Sequence, residues 1–286
     1  MRYLKRLYRL LLTLPVIMIF LRTKAIGGDY GVGSWKKFKL LRRIRRNIRR
    51  IETLSDFREH MELAAAILRV PRSVAGDVIE CGCYLGGSSV NLSLVCAIVG
   101  RRLIICDSFE GLPEPSEYDR SHLAVHVGHT DQYRKGMFAA PLDVVKQNLA
   151  RYGDLSACEF RVGFFDQTMG QLSGNVVMAF LDVDLIDSLK PCLAGIWPIL
   201  RDGCRIYVHE ARNLPLVSVF FDSPWWRENL GEEAPGFVGS GVGLPLAMAT
   251  TWGSELGYAQ KNAGSRVLDR PIVHPAAGAR VQGMAP

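Results

Sequence analysis

Five short runs of apolar, β-prone residues separated by helical or loop-like stretches constrain this 286-residue chain more than any other feature. They are Asp77 to Cys81, Leu103 to Cys106, Cys158 to Val162, Val176 to Leu181 and Arg205 to Val208. Near-continuous apolar strands are buried on both faces, and strands alternating with helices build a parallel sheet covered by helices. The intervening periodicity supplies those helices. Phe57, Met61, Ala64 and Leu68 recur at helical spacing until Pro71, behind a predicted capping box of Thr53 and Asp56. A second helix runs from Val90 to Val99 and stops at Gly100. A third, with Val144, Val145 and Leu149 inward, lies between Pro141 and Gly153, and Ser188 opens a fourth that bends or ends at Pro198. The expected fold is α/β and Rossmann-like, a mostly parallel sheet with helices on both faces.

Such sheets bind ligands at the carboxyl ends of their strands, and there the polar residues collect: Glu80, Gly82, Asp107, Asp166, Asp182, Asp184, His209 and Glu210. Glu80-x-Gly82-x₃-Gly86-Gly87-Ser88-Ser89 reads as a strand-to-helix turn whose glycines admit a ligand to the backbone and whose helix exposes N-terminal amides. The G-x-G-x-x-G of nicotinamide-binding turns is absent. Asp107 suits ribose hydroxyls as a hydrogen-bond acceptor. Residues 111–140 are too polar and too long for a plain connection and are expected to form a lid or substrate loop. The histidines within it, His122, His126 and His129, have no carboxylate frame and read as solvated or substrate-facing. The stretch Gly236 to Gly243, with the chain up to Lys261, is expected to close the sheet as an antiparallel hairpin.

Charge divides the molecule. Fifteen of the 35 Lys and Arg fall in residues 1–50 beside a single acid, Asp29, giving that segment +14; the other 20 face 27 acids, leaving −7 on the rest. The apolar run Leu10 to Leu21 is shorter than the roughly 20 residues a spanning helix needs. Leu40, Leu41, Ile44 and Ile48 repeat at helical spacing among cations, as in a basic amphipathic helix. Residues 1–50 are therefore expected to lie on an anionic membrane surface or to cover the body as a lid. Residues 51–261 are expected to form the body and 262–286, rich in Ala, Gly and Pro, a flexible tail. The acidic body argues against a nucleic-acid partner. Seven cysteines make no C-x₂-C pair and point to a reducing, cytoplasmic compartment, with peripheral attachment to the inner membrane face.

Val78-Ile79-Glu80-Cys81-Gly82-Cys83-Tyr84-Leu85-Gly86-Gly87-Ser88-Ser89, Asp107-Ser108-Phe109-Glu110-Gly111-Leu112-Pro113 and Phe180-Leu181-Asp182-Val183-Asp184-Leu185 together resemble the macrocin O-methyltransferase family. The second stretch is the most specific of the three. The resemblance, over roughly residues 53–260, implies a class I methyltransferase fold and S-adenosylmethionine-dependent methylation of a hydroxyl on a sugar, glycosylated natural product or glycolipid. It implies that Glu80, Gly82, Gly86, Ser88 and Ser89 hold the methionine portion, Asp107 with Ser108 the ribose, and Asp166 the adenine side, with Asp182 adjoining. It also implies a divalent metal on Asp182 and two adjacent acids after the fifth strand, with Asp184 as base, and favours a homo-oligomer. This chain departs at the metal site, where His209-Glu210 replaces two aspartates. The set Asp182, His209 and Glu210 suits Mn²⁺, Fe²⁺ or Zn²⁺ at least as well as Mg²⁺. His209 is the reserve base if it binds no metal. A non-catalytic, membrane-associated relative that binds S-adenosylmethionine but has lost its metal site is the alternative reading.

Overall fold

A computed structural model describes residues 13–126, 133–246 and 254–262, with backbone alone at 123–126. Residues 13–22 are helical (α1). The elements that follow are α2 (Ser34–Asn47), α3 (Phe57–Arg69), β1 (Asp77–Cys81), α4 (Gly87–Val99), β2 (Leu103–Asp107), α5 (Glu117–His126), α6 (Leu142–Tyr152) and β3 (Cys158–Val162). Then come α7 (Phe165–Thr168), β4 (Val176–Leu181), α8 (Ile186–Ile196), β5 (Leu200–Val208), α9 (Leu214–Ser218), α10 (Ser223–Leu230) and β6 (Gly257–Gln260).

The six strands form one sheet in the order β3-β2-β1-β4-β5-β6. All pairs are parallel except β5 with β6. Strand order reverses between β1 and β4, and the crevice at such a switch point is where ligands bind. Alternation along the strands feeds two cores. Val78, Phe180 and Tyr207 point to the face covered by α2, α3, α4 and α6. Ile79, Cys81, Ala179, Leu181, Ile206 and Val208 point to the face covered by α8 and the Trp197 and Trp226 rings. Most of α4 is buried around its whole circumference, because α2, α3 and α6 cover what the sheet does not.

Several local expectations are corrected. The capping box of α3 is Asp56 with Glu59, not Thr53 with Asp56: Asp56 accepts from the amides of Arg58 and Glu59, and Glu59 Oε2 accepts from the Asp56 amide at 2.7 Å. The helix read as Val90 to Val99 begins three residues earlier, and the one expected to open at Ser188 begins at Ile186. Its first free amide is capped from a distance, Ile186 N–H donating to Asp119 of α5 at 2.8 Å. The long loop thus contains a helix, α5, pinned by a buried carboxylate to the start of α8. β5 begins at Leu200 rather than Arg205. The closing antiparallel pair is β5 with β6, while Val238 contributes a single bridge to Tyr258.

The stripe Leu40, Leu41 and Ile44 of α2 is buried in the core, so it packs on the body. All seven cysteines are free thiols. Among the described residues, no helix is long and apolar enough to cross a membrane. The predicted tail, apart from residue 262, lies outside the described residues, as do His129 and the side chain of His126.

Candidate active site

A cavity of about 410 Å³ opens at the switch point, walled by the segments after β1, β2, β4 and the start of α7, with Glu52 to Leu54 and Met137 and Phe138 closing its sides. Of the predicted cofactor residues, Gly82, Ser88, Asp107, Ser108, Asp166 and Asp182 line it, and Asp184 shares its wall. Glu80, Gly86 and Ser89 are buried behind the turn and do not reach the wall.

The glycine turn is fixed by the protein's own packing. Gly82 has φ 81° and a Cβ there would collide with the Asp182 carbonyl, which comes close because β1 and β4 are neighbours. Gly86, with φ 80°, precedes α4 and faces Val145. Both glycines thus have a packing reason, and the Gly82 backbone also faces the cavity.

Asp107 holds the turn to the next loop. Its Oδ2 accepts from the Cys83 amide and its Oδ1 from the Phe109 amide, each at 2.7 Å. Each oxygen keeps a second lone pair for a ligand. Ser108 donates to the Gly111 carbonyl at 2.9 Å and accepts from the Glu110 amide, closing the loop on itself. Asp166 sits in the first turn of α7 at the exposed rim.

Backbone strain gathers here. Among the described residues, the non-glycine residues with positive φ are Tyr84, Phe109, Phe138 and Asp184. Three line the cavity and Phe109 belongs to the loop that Asp107 anchors. Such conformations cost of order 1–3 kcal/mol each and cluster where geometry serves a site.

Behind the Asp182 and Asp184 wall lies a buried charged cluster that includes His209 and Glu210, which do not themselves line the cavity. Burial and the neighbouring Asp182 push the Asp184 carboxyl up to about 7, and a hydrogen bond from the Tyr133 hydroxyl partly offsets this. Burial also opposes charge on Asp182, but the His209 ring outweighs it and holds this carboxyl below the usual range. For His209, burial disfavours the cation, yet Asp182 and Glu59 leave it well above the ordinary histidine value. Its Nδ1 lies 3.4 Å from Asp182 Oδ1 and its Nε2 3.6 Å from Glu59 Oε2. Glu210, pushed up by burial and by Asp182 and Asp184, has both carboxylate oxygens buried without a hydrogen-bond partner among the described residues. One ligand atom from each of Asp182, His209 and Glu210 falls within 4.8 Å of the others, a spacing a single cation can bridge. Glu80 is the other uncompensated acid: burial raises it to about 8, the hydroxyls of Ser88 and Ser89 only moderating the shift.

Two functional candidates were not singled out from sequence. Glu59 comes from α3, far from the strand ends; its capping-box spacing was a visible signal, but nothing local shows that its other oxygen accepts from the Glu255 amide at 2.8 Å or that it faces His209. Tyr133 lies in the stretch expected to form a lid or substrate loop and meets Asp184 only through the fold. His122 is exposed on α5 and makes only local contacts there.

Comparison with known proteins bears on the family and the fold. The Macrocin-O-methyltransferase (TylF) family model matches residues 35–227. Over 176 residues the chain is 33% identical to the 8-demethyl-8-(2,3-dimethoxy-alpha-L-rhamnosyl)-tetracenomycin-C 4'-O-methyltransferase of Streptomyces olivaceus, covering 54% of this chain and 66% of that relative, just under two thirds of its length. In fold it is similar to the O-methyltransferase NovP (TM-score 0.56, 20% identity, 72% of this chain and 81% of that one). It is also similar to the calicheamicin methyltransferase CalS11 (TM-score 0.50, 18% identity, 79% and 92%).

Proposed function

The chain belongs to the macrocin O-methyltransferase family, and from that premise we propose that it methylates a hydroxyl of a sugar or glycosylated small molecule, free or lipid-linked, using S-adenosylmethionine. The observation that carries the chemistry is Asp184: a left-handed, half-buried carboxyl, raised to about 7, on the wall of a switch-point cavity whose other wall is the Asp107-anchored glycine turn.

S-adenosylmethionine supplies the electrophilic methyl. The turn at Gly82 and Ser88 would take its methionine portion, Asp107 and Ser108 the ribose, and Asp166 the adenine side. The fit rests on Asp107, which lines the cavity and is preorganised by two amides with lone pairs to spare. Tyr84 and Phe138, edge to face at 5.9 Å, offer an aromatic wall to a sugar or base.

Asp184 acts as general base, taking the proton of the acceptor hydroxyl at a pKa suited to neutral pH. Tyr133 orients it. Asp182, His209 and Glu210 would hold a divalent cation, and the unpartnered Glu210 oxygens fit that role; such an ion would lower the pKa of the acceptor hydroxyl. Glu59, beside His209 Nε2, would fix the ring so that Nδ1 faces Asp182, as carboxylates behind metal-binding histidines do.

A second reading is favoured by the same contacts: His209, held as a cation between Glu59 and Asp182, itself stands where the positive charge is needed and no metal is used. Incubation with methyl-labelled S-adenosylmethionine and a panel of glycosides, with and without chelator, tests both. Transfer to a free sugar hydroxyl supports the function, and its loss on chelation selects the metal-assisted form. Cofactor binding without transfer to any glycoside would favour a non-catalytic relative.

A further inference from the structure

Among the described residues of the cationic N-terminal segment, none lines the cavity, and α2 stands apart from its wall. The apolar stripe of α2 is already spent on the body, with Leu40, Leu41 and Ile44 each at most 4% exposed. What faces outward is different. Trp35, Phe38, Lys39 and Arg42 follow one another at helical spacing on the exposed side, continued by Arg45, Arg46 and Arg49. Trp35 is 64% exposed and its ring stacks on Phe38 at 5.5 Å. Lys39 lies 5.3 Å over the Trp35 ring and Arg42 5.9 Å over the Phe38 ring. No acid lies on α2, and Asp29 is the only one in residues 1–50.

The preceding helix also carries exposed apolar side chains. Met18 and Ile19 of α1 are exposed, and α1 is tied to α2 by Lys37 Nζ donating to the Thr23 carbonyl at 2.7 Å and Ser34 Oγ donating to the Leu21 carbonyl at 3.0 Å. Bare aromatic side chains framed by long cations that shield them match the bilayer interface, where rings sit at the headgroup level and basic side chains reach the phosphates.

We propose that the outward face of α2, with Trp35 and Phe38 as its insertion point and Lys39, Arg42 and Arg46 as its headgroup contacts, docks the protein on an anionic phospholipid surface. This reverses the helix orientation expected from hydrophobic periodicity, in which Leu40 and Ile44 would have entered the lipid. The proposal is independent of the catalytic reading.

Flotation of the full chain with phosphatidylcholine vesicles, with and without phosphatidylglycerol, tests it, using melting temperature as the control for folding. The chain should float only with the anionic vesicles and detach as salt rises. Lys39→Glu, Arg42→Glu and Arg46→Glu combined should weaken vesicle binding by about a hundredfold or more, since each cation near the surface contributes about fivefold or more. Trp35→Ser with Phe38→Ser should weaken it by a similar factor at every salt concentration at which binding is measurable, because that contribution is not screened. The proposal is overturned if the chain ignores anionic vesicles, if both variants float like the parent, or if it is retained by single-stranded RNA and not by vesicles.

Discussion

The wall formed by the glycine turn and the charged cluster that lies behind Asp182 and Asp184 are built on opposite principles. On the β1 and β2 side, polar groups are satisfied by backbone: Asp107 takes two amides, Ser108 closes its own loop, and the glycines are fixed by neighbouring strands. On the β4 and β5 side, charge is left over: Glu210 has no hydrogen-bond partner among the described residues, Asp184 is forced towards neutrality, and His209 is shared between two carboxylates. A wall of the first kind is a preformed seat, complete before a ligand arrives. One of the second kind carries the energetic cost of crowded like charge, and a proton, cation or substrate hydroxyl relieves it. The difference separates binding from chemistry, and substitutions on each side should separate in the same way.

The largest effect is expected on the acidic wall. Asp184→Asn removes the base, and turnover should fall by about 10²–10⁴ while calorimetric affinity for S-adenosylmethionine stays near that of the parent. Equal losses of turnover and cofactor affinity would erase the division of labour. On the satisfied wall, Gly82→Ala meets both an unfavourable φ and the Asp182 carbonyl, so stability in denaturant titration should drop by about 2–5 kcal/mol. A Gly82→Ala variant as stable as the parent would mean that the two strand ends are not locked together.

Glu59→Gln sharpens the comparison because glutamine can keep the capping bond from the Asp56 amide while its NH₂ group opposes the Glu255 amide. Stability should fall by about 1–3 kcal/mol, and metal affinity, or turnover if His209 itself is the cation, should fall by about 10–100-fold. A large thermal shift with unchanged affinity would make Glu59 structural only. The smallest effect concerns Glu80, buried behind the satisfied wall. Glu80 has an ordinary value of 4.5 and is raised to about 8 in the fold, so the folded chain binds the extra proton and stability declines as pH rises from about 4.5 to about 8. Glu80→Gln should flatten that decline and raise the melting temperature at pH 8. A variant whose melting temperature still falls with pH as the parent's does would remove Glu80 as its source.

Much of this was legible beforehand, for physical reasons. The strands announced themselves because parallel strands are apolar throughout and end abruptly in acids or glycine. Asp107, Asp182, Asp184, His209 and Glu210 followed from that, since strand ends in such a sheet converge on the switch point. What stayed hidden is tertiary. Asp119 caps α8 from 67 residues away, so neither α5 nor the true start of α8 had a local signal. Glu59 reaches His209 only because α3 packs beside the end of β5, and no spacing in the sequence records that. The periodicity of α2 showed an apolar stripe but not what it would cover, which is why burial on the body had to come from the structure.

Calorimetric titration of S-adenosylmethionine into chelator-treated protein, followed by Mg²⁺ or Mn²⁺, tests the central claim most directly. The account predicts cofactor binding without added metal, seated on the preformed wall, and a separate metal heat that disappears in a Glu210→Gln variant while cofactor affinity persists. Absence of cofactor binding under every condition would contradict it.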